Sequence, residues 1–278
     1  GFTTDVNGYC ILNYTDFEDV NNTIIGSGLT IKLDANTGVT FEELYIENDR
    51  TFSVSYNRAG QTLFNGWLTP EGFFEDYVTD KWEITIDCVD GLAFLEDLSY
   101  VDSNGLFYTG KQSQLEIISN CLKRTGVFQN INTDVGVYYT GLSTSADVLA
   151  NVYYNADRFV KDDGDTIMSC KEVLSDVLEP LNAAVVSFNG EWFIYRLDLS
   201  IGLDFGLIYF RYSYLGVVLT PNTSSVGVKF FLGSKIDDFY PHHVNSNQSL
   251  SNRKSLGAYR ISYKYGFDKS ILDNSRLQ

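Results

Sequence analysis

The acidic cluster Asp162-Asp163-Gly164-Asp165 is the first place in this 278-residue chain where chemistry could reside. Carboxylates around a glycine can offer the oxygen ligands that a hard cation such as Ca²⁺ takes. The spacing departs from the EF-hand loop, whose carboxylates alternate and which closes with a bidentate Glu. An acidic turn ahead of a helix explains the cluster better, because negative charge suits a helix N-terminus. His242-His243 is the second place. Adjacent histidines point apart in an extended chain, so a loop is expected rather than a chelate. A Ser/His/Asp hydrolase would have to run through these two residues, and the sequence has no G-x-S-x-G elbow. Glu71, Glu75 and Asp76 stand close enough for acid/base pairing of the glycosidase kind. In so acidic a chain they are expected to be a solvated connector. Trp67, Trp82 and Trp192 could line a sugar platform. Trp82 is assigned to the core, and Trp67 and Trp192 to core or subunit interface. Glycine-rich phosphate loops are absent. The expectation is a chain with no catalytic residue, no cofactor and no metal.

Cysteine chemistry is equally sparse. Cys10, Cys88, Cys121 and Cys170 stand far apart, without CxxC or Cys/His metal spacing. Each reads as a small buried hydrophobe. Two disulfides are allowed by the count and not demanded by the spacing. The formal net charge of −16 repels phosphate, which disfavours non-specific nucleic-acid binding and anionic membranes. With 44% hydrophobic and 15% aromatic residues the chain can bury a sizeable core, so disorder is not expected. No run approaches the ~18 apolar residues of a membrane span, and no signal peptide is read. The ends, Gly1 and Leu277-Gln278, read as those of a segment trimmed from something longer.

The elements that must carry these residues are mostly strands. Short runs at Tyr9–Asn13, Leu29–Leu33, Leu44–Ile46, Thr51–Tyr56 and Thr62–Leu68 are separated by turn residues. Arg58-Ala59-Gly60-Gln61 and Asn65-Gly66 are both expected to be hairpin turns. From Lys81 to Val89 the pattern alternates strictly. Trp82, Ile84, Ile86 and Cys88 should therefore share a buried face, opposite Glu83, Thr85 and Asp87. Two helices announce themselves by S-x-x-E capping boxes, at Ser113–Glu116 and Ser169–Glu172. The first is expected over 113–125, with Lys123 and Arg124 in its last turn and Gly126 as its stop. The second should be closed or kinked by Pro180. A shorter helix is expected over Ala146–Tyr153. Ala183–Phe188 and Trp192–Leu197, flanking Asn189-Gly190-Glu191, predict a hairpin. Later strands are expected around Leu207–Leu219, Ser225–Leu232 and Ala258–Tyr265, with a polar loop over Tyr240–Ser255.

Three stretches carry a resemblance: GWLTPEGFFEDYVTDKWEITIDCVDGLAFLEDLSY (66–100), SQLEIISNCLKRTGV (113–127) and SCKEVLSDVLEPLNAAVVSFNGEWFIYRLD (169–198). Their order resembles that of tail hub and tail-tip proteins of bacteriophages and prophages, particularly those of Bacteroides-like bacteria. The resemblance spans roughly half the chain. It implies β-barrel-like or sandwich domains with a helical insertion, similar to the baseplate hubs of contractile tails. It also implies a homotrimeric ring that joins the tail tube to the distal tip, with other tail proteins (tube, tip, fibre) as partners and, as location, the virion tail or, for a prophage product before assembly, the bacterial cytoplasm. No catalytic residue is implied.

The expected fold class is mixed β-rich α+β. The expected organisation is an N-terminal β domain (1–108), a mixed α/β segment (109–199) and a C-terminal β-rich region (200–278). The expected function is structural and non-enzymatic, without direct sequence-specific nucleic-acid binding or a membrane span. A glycan- or receptor-binding module on a tail is the first alternative and a peptidoglycan hydrolase domain the second.

Overall fold

The computed structural model describes residues 10–15, 22–34, 48–75, 83–135, 146–161, 163–196 and 210–219. In chain order the elements are β1 (Cys10–Tyr14), β2 (Ile24–Ile25), β3 (Ser27–Asp34), β4 (Ser53–Arg58), β5 (Gln61–Glu75), β6 (Glu83–Asp90), β7 (Lys111–Ser113) and α1 (Gln114–Arg124). They continue with β8 (Ile131–Asp134), α2 (Val148–Asn151), β9 (Tyr153–Asn155), α3 (Cys170–Leu178), β10 (Ala183–Phe188), β11 (Glu191–Arg196) and β12 (Phe210–Tyr212). Two five-stranded sheets dominate, in the orders β1-β3-β6-β5-β4 and β12-β8-β11-β10-β2. The first is antiparallel throughout. The second pairs β10 with β11 and β12 with β8 antiparallel, and β11 with β8 and β10 with β2 parallel. The fold is thus mixed β-rich α+β, and among the described residues neither sheet closes into a barrel. The second sheet draws strands from all three sequence segments, taking β2 from 1–108 and β12 from 200–278.

Alternation sets the register of β6 as expected. Ile84, Ile86 and Cys88 are buried against Leu29, Phe64 and Leu68, while Asp87 is exposed. Trp82 lies outside the described residues. Both tight hairpins are two-residue turns with positive φ at each position, Ala59 (51°) with Gly60 (80°), and Asn189 (51°) with Gly190 (73°). Such turns match the twist of the strands they join.

Asn65-Gly66 is not a turn. The chain runs straight through it in β5, with Gly66 opposite Asp90 of β6. A Cβ on Gly66 would fall 2.2 Å from the Val89 carbonyl oxygen and 2.6 Å from the Phe64 ring. The glycine marks a close approach within a strand, the other meaning a strand glycine can carry.

Both capping boxes form. Ser113 and Ser169 each accept from the backbone N–H three residues on, and Glu116 and Glu172 each reach back to the cap. Pro180 falls in a 3-10 turn, Glu179–Leu181, that ends α3. The expected helix over 146–153 shrinks to the single turn of α2, because Val152 turns extended and Tyr153 begins β9. Gln114 N–H donates to the Val152 carbonyl at 2.9 Å, tying that extended backbone to α1. Of the strand expected over Leu207–Leu219, residues 210–219 are described: β12 ends at Tyr212 and a tight turn follows, with Ser213 N–H donating to the Val217 carbonyl.

The larger core lies between α1, α3 and the second sheet, and includes Leu115, Ile118, Val173, Leu174, Val185 and Trp192. Cys88, Cys121 and Cys170 are buried, Cys10 is half-buried, and none is in a disulfide. No helix of the described residues is long and apolar enough to cross a membrane. The expected elements at Leu44–Ile46, Ser225–Leu232, Tyr240–Ser255 and Ala258–Tyr265 lie outside the described residues.

Candidate functional site at the joint between the sheets

Two of the stretches singled out by sequence, 66–100 and 113–127, meet in one place. Asp90, the last residue of β6, is fully buried and accepts three hydrogen bonds: from Ser27 N–H (2.7 Å), Ser27 Oγ (2.7 Å) and Leu92 N–H (2.9 Å). Burial pushes its carboxyl up to about 6, against the opposing pull of these donors. The bonds fix the step from the first sheet into the 3-10 turn Gly91–Phe94. A Cβ on Gly91 would meet Thr125 Cβ at 2.5 Å, so only glycine lets the turn approach the end of α1 this closely.

The end of α1 leaves carbonyls without intrahelical partners, as every helix does. Two of them are satisfied from the region of the first sheet. Trp67 Nε1 on β5 donates to the Thr125 carbonyl (3.1 Å), and Arg50 Nη1, ahead of β4, donates to the Arg124 carbonyl (2.9 Å). The Arg50 guanidinium also lies over the Phe94 ring, 5.7 Å from its centroid. The positive charge stands where the helix dipole is negative. Trp67, Asp90-Gly91-Leu92 and Thr125-Gly126 thus form one joint between β sheet and helical layer.

A second feature lies just beyond α1. Phe128, Tyr214, Leu215, Val217 and Val218 are exposed apolar residues, between 40% and 67% accessible. The Phe128 and Tyr214 rings are 5.2 Å apart, and Ser119 Oγ on α1 donates to the Tyr214 carbonyl (2.8 Å). This apolar turn is anchored from below. Tyr212 OH and Thr133 Oγ1 both donate to Asp147, at 2.8 and 2.6 Å, and Asp147 also accepts from Leu149 N–H. Burial raises the Asp147 carboxyl above its ordinary value although all three bonds lower it. On the opposite face of the sheet, Glu191 accepts from Arg211, Asn130 and Asn132.

The residues weighed for chemistry scatter. Asp163 caps its own exposed turn, accepting from the N–H groups of Asp165 (3.1 Å) and Thr166 (2.9 Å) and from the Thr166 hydroxyl. Asp162, Asp76, His242 and His243 lie outside the described residues, as do the side chains of Glu71 and Glu75 on β5. Among the described residues no group of three or more His, Cys, Asp or Glu is placed to hold a metal ion. Trp192, 1% exposed, is a core residue, and Trp67 serves the joint. A cleft of about 520 Å³ opens beside the start of α3, where Lys171 pairs with Glu96 (2.7 Å) and Lys161 with Glu172 (3.3 Å). Its charges are thereby neutralised within the fold.

Sequence reasoning missed Arg50, Thr125 and the apolar turn. The first two act through a backbone carbonyl and a steric contact, which leave no periodic trace. The turn was hidden because its apolar residues continue the pattern of a strand.

No family model and no curated protein matches the chain. Among solved structures, a 43 kDa tail protein of prophage MuSo2 from Shewanella oneidensis is similar over 68% of this chain and 49% of its own, with 14% identity and a TM-score of 0.37. Prophage tail protein gp18 from Listeria monocytogenes EGD-e is similar over 67% of this chain and 43% of its own, with 11% identity and a TM-score of 0.36. The chain therefore matches less than half the length of either protein. A likeness this distant transfers no activity, partner or residue role.

Proposed function

We propose that this chain is a non-enzymatic structural component of a phage or prophage tail, at the hub or tip, that works through contacts with other tail proteins and with copies of itself in a ring. The observation that carries an assembly role is the exposed apolar turn formed by Phe128, Tyr214, Leu215, Val217 and Val218 on a chain of net charge −16. A contiguous apolar patch on so charged a protein costs solubility unless a partner covers it. The turn is held firmly at the end of the sheet: the chain folds back on β12, where Val218 bridges Tyr212 and Leu219 N–H donates to the Arg211 carbonyl. The joint beneath supplies rigidity, since the end of α1 is held by hydrogen bonds from Trp67 and Arg50.

Placement in a tail rests on the resemblance of residues 66–100, 113–127 and 169–198. Two of those stretches meet at the joint, through Trp67, Asp90-Gly91 and Thr125-Gly126. An acidic chain also suits a conduit for DNA, because phosphate is not retained on it. The experiment is antibody labelling of intact purified tails, viewed by electron microscopy. Label at the distal end supports the reading; tails that carry none of the chain remove it.

A further inference from the structure

We propose that Asn104 is a site of spontaneous modification, where the side-chain amide becomes a carboxylate through a ring closed by the Gly105 backbone nitrogen. The chain has four Asn-Gly pairs, at 7–8, 65–66, 104–105 and 189–190. Asn7-Gly8 lies outside the described residues. Such pairs are open to this reaction because glycine has no Cβ to hinder the attacking nitrogen. Closure requires that nitrogen to swing onto the asparagine Cγ, so the peptide joining the two residues must rotate. The fold decides which pair can rotate.

Asn65-Gly66 is held from both sides. It lies within β5, and Gly66 stands opposite Val54 of β4 and Asp90 of β6. The Val89 carbonyl oxygen would be 2.2 Å from a Cβ at Gly66, which leaves the backbone no room to turn. Asn189-Gly190 is the tight turn of the β10–β11 hairpin, closed by the pairing of Phe188 with Glu191. Gly190 also presses on Thr62, whose Cβ would lie 2.9 Å from a Cβ at Gly190. Asn104-Gly105 has neither restraint. Ser103, Asn104, Gly105 and Leu106 are all exposed and belong to no strand. A Cβ at Gly105 would meet nothing within 4 Å. One bond occupies the nucleophile: Gly105 N–H donates to the Asp102 carbonyl at 3.1 Å. Exposed turns open at the low end of the range of local unfolding free energies, and that opening frees the nitrogen.

The Gly105 nitrogen then gives up its proton and bonds to Asn104 Cγ. The Cγ–Nδ2 bond breaks, and Nδ2 leaves as ammonia. Water opens the five-membered ring. Cleavage at the side-chain carbonyl gives aspartate, and cleavage at the main-chain carbonyl gives isoaspartate. Nothing is oxidised or reduced. Either product sets a second carboxylate beside Asp102, whose Oδ1 accepts from the N–H groups of Asn104 and Leu106 at 2.8 Å each. The argument stands on backbone geometry and is independent of the tail assignment.

The test incubates the full chain in warm, mildly alkaline buffer, once folded and once in denaturant. Samples are digested in acid, where ring closure is slow, and mapped by mass spectrometry with fragmentation that separates aspartate from isoaspartate. The denatured chain gives each pair its intrinsic rate. Relative to those rates, folding should slow Asn65 and Asn189 by roughly tenfold or more beyond any slowing of Asn104. Residue 104 of the folded chain should appear as a mixture of aspartate and isoaspartate. Protection of Asn104 equal to that of Asn65 or Asn189 would overturn the proposal. Aspartate alone at residue 104 would mean direct hydrolysis of the amide without the ring, and would overturn it too.

Discussion

Replacing Asp90 by Asn should change how stability depends on pH, in a direction the joint dictates. An ordinary aspartate titrates near 3.8, whereas burial pushes Asp90 up to about 6. The folded chain therefore binds this proton more tightly than the unfolded chain. Stability from that difference is fully present below pH ~3.8 and is lost as pH rises through about 6. A gap of about 2 corresponds to ~3 kcal/mol. Asn cannot titrate, and it turns an NH₂ toward donors that need an acceptor, which adds a pH-independent cost of ~1–3 kcal/mol. Asp134, also near 6, and Asp147, also raised, load the same window in both proteins and cancel in the comparison. Urea unfolding followed by tryptophan fluorescence at steps from pH 4 to pH 7 gives the free energy of each. The stability of the wild-type chain relative to Asp90→Asn should fall by ~2–2.5 kcal/mol across that range, since at pH 4 the unfolded carboxyl is already more than half ionised. If it rises instead, the donors at Ser27 and Leu92 outweigh burial, and the reasoning about the joint is wrong.

Trp67→Phe should cost ~1–2 kcal/mol by stranding the Thr125 carbonyl, and Trp67→Ala ~3–5 kcal/mol by also leaving a cavity; thermal unfolding by circular dichroism separates the two. Gly91→Ala should destabilise by ~1–3 kcal/mol or more, because its Cβ would press on Thr125. Gly105→Ala makes the contrast in the same assay: it meets nothing within 4 Å, leaving only the strain of its positive φ. Tyr212→Phe should cost ~1–2 kcal/mol, since buried Asp147 then loses one of its three donors.

What the sequence discloses here follows from locality. Ser113 and Ser169 announce their helices because a capping box is complete within four residues. Ile84, Ile86 and Cys88 announce their face because one side of β6 is buried. Asn65-Gly66 misleads because the same dipeptide serves a tight turn or a close approach, and only the neighbouring strand, through the Val89 carbonyl, decides between them. β2, β7, β8 and β9 are short strands with no periodicity of their own, made by pairing partners distant in sequence. The joint was half visible. Trp67 and Asp90-Gly91-Leu92 stood out as residue types, but their meeting with Thr125 is a tertiary event. The apolar turn at 214–218 was read as strand, because exposure cannot be told from burial when every residue in a run is apolar.

The most direct test of the central claim, that the chain works by apolar contact within a tail, is incorporation of a patch variant. Val218→Asp places a charge on a residue that is 67% exposed, so the free chain should keep its stability to within ~0.5 kcal/mol. Wild-type and variant chains are expressed separately in a host whose resident copy has been deleted, and the chain is quantified by mass spectrometry in purified tails. The account predicts an equally soluble and folded variant that is depleted from tails by tenfold or more. Incorporation at the wild-type level, with the charge in place, would contradict it.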